Sequence, residues 1–102
     1  MSTLNEIYFN YNKAIDQAKE LENISKQLKT AANDTMEDIL NDVHVAWKSD
    51  STPQYIKKGQ KVEDDIRTTA TNLTNIAQAV RTIALRIRNA ELEAWRIANE
   101  RN

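Results

Sequence analysis

One glycine, Gly59, and one proline, Pro53, are the only strong helix breakers in a chain of 102 residues. Average usage would supply roughly seven and five. Long uninterrupted helices are therefore permitted, and places to turn are few. A sheet of several short strands would need turn residues every eight to twelve positions or so. The β-branched residues are scattered instead of alternating, and only six side chains are aromatic. The expected fold class is all-α.

Apolar residues recur with a seven-residue rhythm, the signature of helices that pack along a seam. In the first half Leu4, Tyr11, Ala18, Ala32 and Ile39 form one line and Ile7, Ala14, Leu21 and Leu28 a second, widened by Tyr8, Ile15, Met36 and Val43. In the second half the lines are Ile66, Leu73, Val80, Ile87, Ala94 and Val62, Ile76, Ile83, Ala90, Ile97. Ala70, Ala77, Ala84 and Ala98 flank them, and their small side chains let a neighbouring helix approach closely. Thr3 with Glu6 reads as a capping box at the first helix start. Thr52 reads as the N-cap of the second, with Pro53 at its first position, where a missing N–H costs nothing.

These signals predict one domain over residues 1–102, with helix one over 4–46, a turn over 47–52 and helix two over 53–99. So short a connection makes the helices antiparallel neighbours, a two-helix hairpin. Each helix of about 40 residues would extend about 60 Å at 1.5 Å per residue. Asp34, Glu37, Asp38 and Asp42 before the turn would lie alongside Lys57, Lys58 and Lys61 after it. A lone pair of helices buries only one side of each seam, whereas two hairpins packed as a four-helix bundle bury both. Dimerisation, with itself or with a sister protein, is the expectation.

The charge balance, 14 basic against 15 acidic side chains, creates no field that would draw nucleic acid or an anionic membrane. No stretch approaches 18 apolar residues, and Met1 to Tyr11 shows no basic region followed by an apolar core, so neither membrane insertion nor a classical signal peptide is expected. The absence of Cys excludes thiolate chemistry and disulfides. His44, the single histidine, falls on an outward face, and Glu63-Asp64-Asp65 and Glu37-Asp38 read as solvated helix faces without a third ligand at metal spacing. No cofactor, metal site or enzyme activity is expected. The sequons at Asn23, Asn33 and Asn72 fall inside the helices and read as chance matches.

Two places suggest binding. Leu85, Leu92 and Trp95 share an outward stripe of helix two, interleaved with Arg81 and Arg88, and Trp and Arg are enriched at binding hot spots. The stripe is a candidate partner-docking face; Phe9 and Leu40 are isolated outward residues. Trp47, beside the turn, would plug the open end of the hairpin and present a recognition surface.

With Ala46-Trp47-Lys48-Ser49 at the turn, two helices of about 40 residues and no Cys, the whole chain resembles the WXG-type, or early-secreted-antigen-like, helical hairpins of type VII secretion, including the helical partners of LXG toxins. Trp47 matches the Trp-Xaa-Gly motif of that family, while Ser49 stands where Gly is expected, and Gly would tolerate a left-handed conformation that Ser resists. The C-terminal Tyr-x-x-x-Asp/Glu export signal of the family has only a degenerate counterpart, Trp95 with Asn99. The resemblance implies a non-enzymatic partner or substrate of a type VII secretion system. It would bind an LXG-type toxin or a sister small protein, or self-dimerise, to form a composite export-recognition surface. Residence in the cytoplasm before export, without a classical signal peptide, goes with that reading. The alternative is a cytoplasmic helical-bundle chaperone or assembly regulator unrelated to secretion.

Overall fold

The computed structural model describes residues 2–100. The described chain is all-helical: α1 spans Leu4–Thr30, a π-helical turn spans Ala31–Met36, α2 spans Glu37–Ala46 and α3 spans Thr52–Glu100. The π turn and α2 continue α1 without a break, so helix one reaches Ala46 as expected. Two compact units divide the chain, residues 2–22 with 75–100 and Asn23–Thr74, and each contains a stretch of both helices.

At the start of α1, the Glu6 amide donates to Thr3 Oγ1 at 3.2 Å, as a capping box requires. The Glu6 carboxylate accepts from the Thr3 hydroxyl at 3.0 Å, so half of the box is local to the two side chains. At the start of α3 the cap is one residue earlier than the sequence suggests. The Ser51 carbonyl accepts the amides of Gln54 and Tyr55, and Thr52 is already the first helical residue with Pro53 second.

In the unit of residues 2–22 and 75–100 the core is Ile7 and Ala18 against Ala77 and Ala84. In the Asn23–Thr74 unit it is Ser25 and Ala32 against Glu63 and Ala70. The alanine line thus forms the seam centre of α3, which corrects the expected line Val62, Ile76, Ile83, Ala90, Ile97: these five residues are all exposed, as is Ile87. Small side chains win the centre because they let two helix backbones approach closely, and the larger isoleucines are left on the flank. The centre also admits polar residues at the same seven-residue spacing. Ser25 fills the gap between Ala18 and Ala32, where its hydroxyl donates to the Ala70 carbonyl at 2.7 Å and shares a bond with the Thr74 hydroxyl at 2.8 Å. Glu63, expected on a solvated face, is 2% exposed.

The π turn changes the phase of α2 relative to α1. Core positions run Ala18, Ser25, Ala32 at intervals of seven, and then Met36, Leu40 and Val43 are half-buried while Ile39 is 51% exposed. One extra residue in a wide turn advances the facing position by one. Two expectations are corrected together: Ile39 leaves the seam and Leu40 enters it. Leu40 then lies over Gly59, where a Cβ would overlap its side chain. The single glycine sits inside a 49-residue helix because the opposing leucine occupies its side-chain space.

Candidate partner-binding surfaces

The turn is built from hydroxyl groups. Trp47 ends α2 in an extended conformation, φ −116° and ψ 104°, with its amide donating to the Val43 carbonyl at 2.9 Å. Thr52 is buried and points back into the turn: Oγ1 donates to the Trp47 carbonyl at 2.8 Å and accepts the Ser49 amide at 3.2 Å. The Ser49 hydroxyl lies 3.1 Å from those of both Ser51 and Thr52. No described residue has a positive φ, so the turn makes no demand for glycine at position 49 and Ser49 is accommodated without strain.

With its backbone held from both sides, the Trp47 side chain is 68% exposed. It therefore does not plug the hairpin. Together with Val43, Tyr55 and the turn hydroxyls it lines an open, mainly apolar hollow, and Tyr55 is as exposed as Trp47. Tyr55 was missed in the sequence because it falls off both seam lines. Its signal is spacing, since an aromatic in the first turn of α3 must stand close to whatever ends α2.

The expected docking stripe divides. Leu85 is exposed, whereas Leu92 and Trp95 are half-buried on the flank of the seam. Trp95 and Arg88 sit at the same register position, seven residues apart, and the Arg88 guanidinium stacks 4.5 Å over the Tyr11 ring. A cation over an aromatic face gains about 0.5–1 kcal/mol where exposed. Arg81 binds Glu22 in the same unit. The arginines between the stripe residues are thus engaged with α1. Asn99 donates to the Trp95 carbonyl at 2.8 Å, a local bond, and Arg96 bridges Glu93 and Glu100 on the exposed side. Arg96 holds the Glu93 carboxyl below the usual carboxylate range through that hydrogen bond, and its own ionisation moves further up.

The more continuous apolar surface is on the other flank of the same unit. Ile76, Ile83 and Ile97 share one line and Ile87 lies one turn beyond Ile83; all four are exposed, Ile83 by 54%. Sequence reasoning placed these side chains in the seam. The alanine line beside them was the signal that could have moved the seam by one position.

The expected carboxylate–lysine pairs across the turn do not form among the described residues. Lys61 pairs instead with Asp65 in its own helix at 3.4 Å. His44 is exposed, as expected, and so is Phe9. Among the described residues, no group of three or more His, Cys, Asp or Glu side chains could hold a metal ion, and no helix is long and apolar enough to cross a membrane. No family model, curated protein or solved structure matches this chain significantly.

Proposed function

We propose that the protein is a helical partner or substrate of a type VII secretion system, binding a second helical protein through the isoleucine flank and presenting Trp47 as part of an export-recognition surface. The partner would be the helical N-terminal region of an LXG-type toxin, a sister small protein or a second copy, paired as a four-helix bundle. The observation that carries the reading is the exposure of Trp47 on a turn whose backbone is hydrogen-bonded on both sides of it, at the position of the resembled motif. Nothing in the hairpin needs this large side chain in solvent, and a recognition role gives it a use.

The flank supplies the affinity in this reading. Each half-exposed isoleucine would gain on the order of 1 kcal/mol when covered, about half the value for complete burial. Ile76, Ile83, Ile87 and Ile97 together would contribute about 3–5 kcal/mol before the cost of association. Partner capture and export separate the two surfaces. Ile83→Asp with Ile87→Asp should abolish capture of a co-expressed partner hairpin while helix content persists. Trp47→Ala should leave capture intact and abolish export of the complex. Normal export by Trp47→Ala would overturn the recognition role, and normal capture by the double aspartate variant would overturn the binding face.

A further inference from the structure

Almost every carboxylate of α3 has a cation beside it. Arg67 serves Glu63 and Asp64, Lys61 serves Asp65, and Arg96 serves Glu93 and Glu100. Glu91 is the exception among the described residues of the helix, and its Oε2 is buried without a hydrogen-bond partner. Arg88, one turn before it, is drawn away: its guanidinium lies 4.5 Å over the Tyr11 ring, and Nε and Nη2 donate to Asn89 Oδ1 at 3.4 and 3.3 Å.

Half-buried Glu91 forms part of the wall of an open hollow of about 240 Å³ in the unit of residues 2–22 and 75–100. Ile7, Tyr11 and Ile87 supply apolar walls, and Asn10 and Arg88 add polar groups. Pockets that enclose whole small molecules run to about 300–1,000 Å³, so this hollow is of a size for one side chain. Ile87 also belongs to the exposed isoleucine flank, which makes the hollow continuous with that face.

We propose that the hollow receives an arginine side chain from the protein that docks on the isoleucine flank, with its guanidinium on the Glu91 carboxylate. The inference rests on that flank being the binding face. An ionised carboxylate only accepts hydrogen bonds, so its partner must be a donor. In a half-dry setting a charged donor binds it more strongly than a neutral one. Guanidinium is more weakly hydrated than ammonium, which lowers the cost of leaving water, and its planar fork of N–H groups engages a carboxylate by either oxygen. The methylene stem of arginine suits the isoleucine walls. The partner helix is therefore expected to carry an arginine among the apolar residues that cover Ile83 and Ile87.

The probe is n-propylguanidinium, which reproduces the arginine side chain, with n-propylurea as its uncharged counterpart of like shape. In NMR titrations of the full chain, n-propylguanidinium should shift the signals of Tyr11, Ile87 and Glu91 saturably, and n-propylurea should not. Glu91→Gln should weaken that binding by about tenfold or more, the loss expected for a charge-assisted hydrogen bond, at an unchanged thermal midpoint. Equal binding of the two probes, shifts spread along the whole chain, or no saturation would overturn the proposal. So would a Glu91→Gln variant that melts lower while the unaltered chain binds no guanidinium, since Arg88 would then be the partner of Glu91 in solution. The comparison of probes on the unaltered chain stands even if the variant does not fold. No partner protein is needed for it, so failure here and failure of the flank in the capture experiment are separate results.

Discussion

The phase shift at the π turn makes a prediction opposite to the one that sequence periodicity makes. Ile39 continues the line of Leu4, Tyr11, Ala18 and Ala32, yet it is 51% exposed, and half-buried Leu40 lies over Gly59. Full truncation of a buried leucine to alanine costs about 2–5 kcal/mol, so half-buried Leu40→Ala should cost about 1–2. Ile39→Ala should stay within about 0.5 kcal/mol, the usual range for surface substitutions. Gly59→Ala gains about 1 kcal/mol of helix propensity, but its methyl group displaces Leu40, an overpacking cost of about 1–3 kcal/mol. Alone it should be neutral to destabilising by about 2 kcal/mol, and in the Leu40→Ala background it should stabilise by about 1. The double-mutant cycle should therefore report a coupling of about 1–3 kcal/mol. Urea denaturation monitored by far-ultraviolet circular dichroism measures all four states. If Ile39→Ala costs more than Leu40→Ala, or if Gly59→Ala is equally stabilising in both backgrounds, the π turn does not set the register and the account of Gly59 fails.

Two further outcomes are expected. Ser25→Ala removes the hydroxyl that joins α1 to the Ala70 carbonyl and Thr74, and should lower stability by about 1 kcal/mol, measured by the same denaturation. Trp95→Ala should lower stability as well as any partner affinity, because Trp95 is half-buried, so equilibrium denaturation and partner titration should both respond; a loss of affinity at unchanged stability would restore its role as a purely outward docking residue.

Much of the fold was legible in the order of residues. A chain with one glycine and one proline has few ways to end a helix, and the seven-residue rhythm says that its helices pack lengthwise. The Thr3 cap, the helix reaching Ala46 and the start of α3 within one residue arise from local chemistry, which depends only on neighbours in the chain. Trp47 could likewise be placed beside the turn, although its exposure could not.

Tertiary structure decided which of several adjacent apolar lines became the core. The isoleucine line and the alanine line lie one residue apart, about 100° around the helix, and both recur every seven residues, so periodicity alone cannot choose between them. Close approach of the two backbones chose the alanines, exposed Ile76, Ile83, Ile87 and Ile97, and brought Ser25 and Glu63 into the centre because they share that register. The π turn is a further decision of this kind. An inserted residue leaves no mark on composition, and its consequence, Leu40 rather than Ile39 against Gly59, depends on a residue in the opposite helix. The sequence by itself determined that the chain would be helical and where it would turn; the meeting of the helices determined which apolar faces remained exposed.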